Sequence, residues 1–276
     1  MCIAFATGAI QRWSSRVALI ALAVVAASLG GCEVAGLSGP NVETAQGQTQ
    51  TPAAGSDQWR AYTDDWGKRY DQNPGDKTAS INYARGLRAL TRYSEAAAVM
   101  RTAAVEAPQD PEVLGEYGKA LADSGALGQA KDVLTRAYTE DRPDWMIMSV
   151  QGAVEDELGD HEGARKFYAE GLKIAPGEPF LLNNLGLSYA LTKQLPQAEA
   201  TLREANASPH ADARVRNNLA LVLSLEGKYA QAEDVSRQDM SDDAARANVK
   251  AIRQMVASRS VASALRSSPQ PAVAAE

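Results

Sequence analysis

The chain has 276 residues, 45% of them hydrophobic, and a formal net charge of −6. That length suffices for one sizeable core or a linear array of small ones, and the acidic balance speaks against nucleic acid or an anionic membrane surface as a partner. Two cysteines, Cys2 and Cys32, and two isolated histidines, His161 and His210, supply no metal-ligand set, no cofactor site and little material for His-based catalysis.

The predicted elements begin with an export signal over residues 1–31. Arg12 and Arg16 flank an apolar run, VALIALAVVAA, that is short of the roughly 20 residues a bilayer-spanning helix needs. Leu29, Gly30, Gly31 and Cys32 follow it. These four resemble the bacterial lipobox, in which the peptide is cut before a cysteine that carries diacylglycerol. The resemblance implies cleavage between Gly31 and Cys32 and lipidation of Cys32. Because Glu33 rather than Asp comes next, it also implies an outer-membrane anchor on the periplasmic face. Loss of Arg12 and Arg16 with the leader takes the net charge from −6 to −8. Residues 32–56 then read as the lipidated cysteine and a flexible tether, aromatic-free and rich in Gly, Thr, Gln and Pro, with no strand in view.

Self-comparison of the remainder shows a period of 34 residues. Ala84, Gly118, Gly152, Gly186 and Ala220 recur in the first half of each unit, and Ala96, Ala130, Ala164, Ala198 and Ala232 in the second. Small residues let two antiparallel helices approach closely, while larger ones at helical spacing fill the gaps: Tyr83, Tyr117, Leu185 and Leu219 on first helices, Met100, Leu134, Tyr168 and Leu202 on second helices. Each unit is a helix hairpin that buries its face only against a neighbour. Five units fill residues 77–240, preceded by a partial unit at 57–76 with Trp59, Trp66 and Pro74 in phase. Residues 241–260 predict a capping helix with Ser241 or Asp242 as N-cap, and 261–276 a disordered tail.

This pattern resembles the tetratricopeptide repeat from Trp59 to about Ser258, with departures at Gln151, Arg142, Ser236 and Asp239. The resemblance implies an all-α fold, a right-handed α-solenoid of helix hairpins, whose concave groove is lined by first helices and binds peptides. Counted by the family's groove positions, Asn82, Asn184 and Asn218 are equivalent, with Asn183 and Asn217 just before two of them. Amides in such a row can clamp the backbone of an extended peptide; the alternative is solvated helix-start residues. Arg85, Arg88 and Lys119 fall toward the N-terminal end of the groove, and Met146, Phe180, Leu187 and Leu221 beyond them. A basic end and an apolar floor suit a segment with acidic and aliphatic parts; scattered charge and ordinary helix packing are the alternative. No nucleophile–base pair or phosphate loop is present, so catalytic residues are not expected.

The lipobox, tether, half unit and five repeats ending in ARANVKAIRQM are similar to the TadD-type lipoproteins of the Tad (Flp) pilus assembly system. That resemblance implies a periplasmic, outer-membrane-anchored protein that supports assembly of the tight-adherence pilus machinery through its secretin. A lipoprotein cofactor of another envelope machine, or a scaffold for periplasmic cell-wall enzymes, remains open.

Overall fold

A computed structural model describes residues 42–43, 49–50, 56–138 and 143–267, with side-chain detail over 56–138 and 143–257. The leader, Cys32, Arg142 and residues 268–276 of the expected tail lie outside these. Within the expected tether, β1 (Val42–Glu43) and β2 (Thr49–Gln50) pair antiparallel, Val42 opposite Gln50 and Glu43 opposite Thr49. The β-branched Val42 and Thr49 suit a strand, and the ribbon is too short to make a layer, so the class is all-α.

Twelve helices follow among the described residues. α1 (Asp57–Gln72) precedes five hairpins: α2 (Lys77–Ala89) with α3 (Tyr93–Glu106), α4 (Pro111–Asp123) with α5 (Leu127–Leu134), α6 (Trp145–Leu158) with α7 (His161–Ile174), α8 (Pro179–Leu191) with α9 (Leu195–Asn206), and α10 (Ala213–Leu225) with α11 (Tyr229–Ser236). α12 (Asp242–Ser267) closes the stack.

Helix starts follow the 34-residue period closely. Each first helix of a hairpin opens on an acidic N-cap, Asp76, Asp110, Asp144, Glu178 or Asp212, whose carboxylate accepts from a backbone N–H of the first turn. Such a cap satisfies an otherwise orphaned donor and favours the positive end of the helix dipole. The ends between the two helices of a hairpin repeat as well. Thr91, Gly125, Gly159, Lys193 and Gly227 all have φ between 59° and 91°. In each turn the next residue's N–H bonds a carbonyl five residues back, as Asp160 N does to Glu155 O at 2.9 Å. That is the Schellman closure, which needs a left-handed residue.

The small residues stand where hairpin helices cross. A Cβ on Gly118 would lie 2.4 Å from Leu134 Cδ2, on Gly152 2.4 Å from Tyr168 Cε1, and on Gly186 2.6 Å from Leu202 Cγ. Ala84, Ala96, Ala130, Ala164, Ala198, Ala220 and Ala232 are all buried. The fifth unit, weak by pattern, keeps its volume balance: the small Ser236 takes the position of Leu202, and Ala220 replaces glycine on the facing helix.

Both ends differ in detail from the expectation. On α1, Trp59 is buried but Trp66 is only half-buried, beneath the Arg69 guanidinium at 4.5 Å. The stripe that meets α2 is Trp59, Thr63 and Gly67, one residue out of phase, because a Cβ on Gly86 would already lie 2.4 Å from Thr63 Oγ1. A ring could not be held there. At the other end, Ser241 Oγ accepts from Ala244 N, and Ala245, Val249 and Ile252 are buried against the last hairpin. α12 continues to Ser267, past the expected boundary at 260, since Ala262, Ala264, Leu265 and Arg266 favour helix and the next proline is Pro269. No described helix is long and apolar enough to cross a membrane.

Candidate functional site

The face to consider is the one on which successive first helices touch through polar side chains. Near the C-terminal half, three hydrogen bonds run in one direction across α10, α8 and α6. Asn218 Nδ2 donates to Asn183 Oδ1 at 2.8 Å, Asn183 Nδ2 to Asn184 Oδ1 at 3.3 Å, and Asn184 Nδ2 to Ser149 Oγ at 3.0 Å. Asn183 is 9% exposed, and Asn184, Asn217 and Asn218 are half-buried. The structure thus brings three of the predicted amides together as a ladder that stitches first helices to each other. Asn82 is apart from it, donating to Thr78 O at 2.8 Å and accepting from the Tyr62 hydroxyl at 2.6 Å.

The predicted cations are gathered more tightly. Arg85 Nη2 and Lys119 Nζ both donate to Glu116 Oε1 at 3.1 Å, and Arg88 reaches Glu116 Oε2 at 3.5 Å and Asp123 Oδ2 at 2.6 Å. Glu116, Arg88 and Lys119 are 3%, 4% and 6% exposed. Burial alone would push the Glu116 carboxyl up, but Lys119, Arg85 and Arg88 outweigh it and hold the carboxyl below the usual glutamate range. Three cations thus share two directly bonded carboxylates, Glu116 and Asp123. Arg85 Nε is buried with no acceptor in reach.

Sequence reasoning missed Glu116 as the hub of this cluster, although the period places it in the same row as Asn82, Asn184 and Asn218. It also missed Asp156. Burial pushes the Asp156 carboxyl up despite hydrogen bonds from His161, Ser188 and Tyr168. Ser188 Oγ donates to Asp156 Oδ1 at 2.8 Å and the Tyr168 hydroxyl to Oδ2 at 3.0 Å, joining α6, α7 and α8. Ser188 donates to the carboxylate and not to the His161 ring, which lies 2.8 Å from the same oxygen. The arrangement is a structural knot rather than a relay that could activate a hydroxyl.

Beyond the ladder the face turns apolar. α8 has no charged residue, yet Leu187 and Leu191 are half-buried, as are Leu221 and Leu225 on α10. None of the four belongs to a core cluster among the described residues. Met146 is 38% exposed, and Phe180 lies under the Arg214 guanidinium at 4.9 Å.

No protein-family model matches the sequence, and no curated protein does. Solved structures do. The chain superimposes on the Cut9–Hcn1 hetero-tetramer of APC/C with a TM-score of 0.58 at 18% identity, over 74% of this chain and 40% of that one. It therefore spans well under half the length of that relative. PilW, a type IV pilus biogenesis factor, matches with a TM-score of 0.56 at 16% identity, over 72% of this chain and 90% of PilW. Human IFIT1 with capped RNA matches at 0.57 and 14%, over 66% of this chain and 46% of that one. At these identities the likeness is one of fold. The protein is a tetratricopeptide-type α-solenoid of helix hairpins.

Proposed function

We propose that the protein is an outer-membrane lipoprotein, anchored through Cys32 with its solenoid in the periplasm. On this reading it holds an extended segment of a protein partner along its first-helix face and supports assembly of the tight-adherence pilus machinery, acting on the secretin. The observation that carries the binding part is the face itself. Equivalent positions of successive first helices carry cations toward one end and amides and half-buried leucines toward the other, and a stack of hairpins presents them as one extended surface. The pilus part is supported by the order of lipobox, tether and repeats, by the closing stretch over residues 217–255, and by the likeness to PilW over 90% of its length.

The test is a deletion strain complemented with wild type or Cys32→Ala. Wild type should incorporate a clickable fatty acid, co-purify with the secretin and restore pili, whereas Cys32→Ala should remain unlabelled and restore them poorly. Label that persists in Cys32→Ala would remove the anchor from the reading. Normal pili and secretin in the deletion strain would remove the pilus.

A further inference from the structure

One row of equivalent positions crosses the whole first-helix face at 34-residue intervals: Arg85, Lys119, Ala153, Leu187 and Leu221. Its first two members are the cations that share a single oxygen of Glu116, and its last two are the leucines left outside the core. We infer that this row reads one ligand, an extended segment of a protein partner bearing an acidic side chain at one end and aliphatic side chains at the other. The inference rests on the proposed binding face but not on the pilus assignment.

Charge fixes the acidic end. Arg88 is committed on both sides, to Glu116 and to Asp123, which leaves Arg85 and Lys119 to share one oxygen of Glu116. Neither has a carboxylate of its own, since each bonds the same Glu116 oxygen at 3.1 Å. A buried cation short of a counter-charge is costly, and a partner carboxylate supplies the missing one. The middle of the face already carries an acid: Glu157, exposed, is next along the row that holds Asp123. On α8 and α10 the same two rows read Leu187 with Leu191 and Leu221 with Leu225, each pair one helical turn apart on one face. Small Ala153 between the two zones leaves room for a backbone.

The geometry also sets the spacing. Neighbouring first helices pack about 8 to 10 Å apart, so the centres of the two zones, three units from each other, are separated by about 24 to 30 Å. At about 3.3 Å per extended residue, that is roughly eight residues between the acid and the aliphatic pair.

The probes are three fluorescein-labelled fifteen-residue peptides: one with two glutamates about eight residues from two leucines, one with lysines in place of the glutamates, and one with serines in place of the leucines. Anisotropy is read against the mature chain at low and moderate salt, with a single-stranded RNA of equal length as a fourth probe. The Glu–Leu peptide should bind at least tenfold more tightly than the other three, and its binding should weaken with salt. Lys119→Gln leaves Glu116 and Asp123 matched by Arg85 and Arg88, so the fold should hold by circular dichroism while the preference for glutamate over lysine collapses. Leu221→Ser should erase the preference for leucine over serine and leave the charge preference intact.

Equal binding of acidic and basic peptides, tighter binding of RNA, or no binding by any peptide overturns the inference. So does sedimentation showing that Leu221 is covered by a second copy. If the secretin still co-purifies after such a result, the proposed function stands and the partner uses another surface. If the peptides discriminate as expected but the deletion strain keeps its pili, the groove reading stands and the pilus assignment falls.

Discussion

Gly152 shows how strongly one atom is constrained in this stack. Alanine is the better helix former by about 1 kcal/mol, so the substitution gains locally wherever there is room. There is none here: the new Cβ would come within 2.4 to 2.8 Å of three atoms of Tyr168, a ring that is 1% exposed and tied through its hydroxyl to Asp156. Overpacking of this kind costs about 1 to 3 kcal/mol, so Gly152→Ala should melt lower than wild type. Gly128 is the control, exposed on α5 with nothing within 4 Å of an added Cβ. Gly128→Ala should be neutral to stabilising by about 0.5 to 1 kcal/mol, and a thermal melt showing the reverse order would refute the crossing geometry. Glu116 gives a prediction in pH. Its folded pKa is depressed, so its contribution to stability is present above the ordinary glutamate range and is lost as pH falls through the folded value. Arg85, Arg88 and Lys119 are the cations that face it. Glu116→Gln should cost about 3 to 5 kcal/mol at pH 7, because the buried Arg88 and Lys119 and the half-buried Arg85 lose a partner, and the gap to wild type should narrow on acidification in urea melts. A gap that stays constant with pH would show that Glu116 is not the hub.

At the scale of the helix, the turn chemistry is partly at odds with the residues that carry it. Thr91 and Lys193 hold the left-handed position that glycine holds in the second, third and fifth hairpins. A left-handed L-residue costs about 1 to 2 kcal/mol, against about 0.5 to 1 for the extra freedom glycine loses on folding. Thr91 is exposed, so Thr91→Gly gives up no packing and should stabilise by about 0.5 to 1 kcal/mol, whereas Gly159→Ala should destabilise by about 1. Chemical denaturation of both variants checks the pair of signs. What was legible in the sequence divides along the same line. The crossings were legible because a close approach tolerates only Gly or Ala, and ten such residues on one period leave little alternative. The turns of the first and fourth hairpins were not, since Thr and Lys carry no mark of a left-handed φ. The acidic caps from Asp76 to Asp212 repeat as regularly as the alanines, but Asp and Glu are common on any surface and drew no notice. The groove positions were legible as rows, while the pairing inside them was not. That Asn218 bonds Asn183 rather than a ligand, or that Glu116 draws three cations, depends on which turn of one helix meets which turn of the next.

For the whole molecule, a stack in which each hairpin touches only its neighbours is as cooperative as its seams allow. The seam between α5 and α6 is the polar one. On the other first helices the residues facing the preceding hairpin are Tyr83, Tyr117, Leu185 and Leu219, and one turn on Leu87, Leu121, Tyr189 and Leu223; on α6 they are Gln151 and Glu155. Both are 5% exposed. Glu155 is held by Lys131 of α5 at 2.7 Å, but Gln151 Oε1 is buried without a donor, and an unmatched buried acceptor costs about 1 to 3 kcal/mol. α5 is also only 8 residues long where α7 has 14, so it covers less of its neighbour. The stack should therefore open first at this seam, with α1 to α5 and α6 to α12 behaving as two blocks. Native-state hydrogen exchange in low urea should resolve two groups of amides divided between Leu134 and Trp145. Gln151→Leu removes the orphaned acceptor at nearly constant volume, so it should stabilise the protein by about 1 to 2 kcal/mol and draw the two groups together. A wild-type protein whose core amides all exchange through one global opening, or a Gln151→Leu variant that is less stable, would show that the seam is not where the solenoid parts.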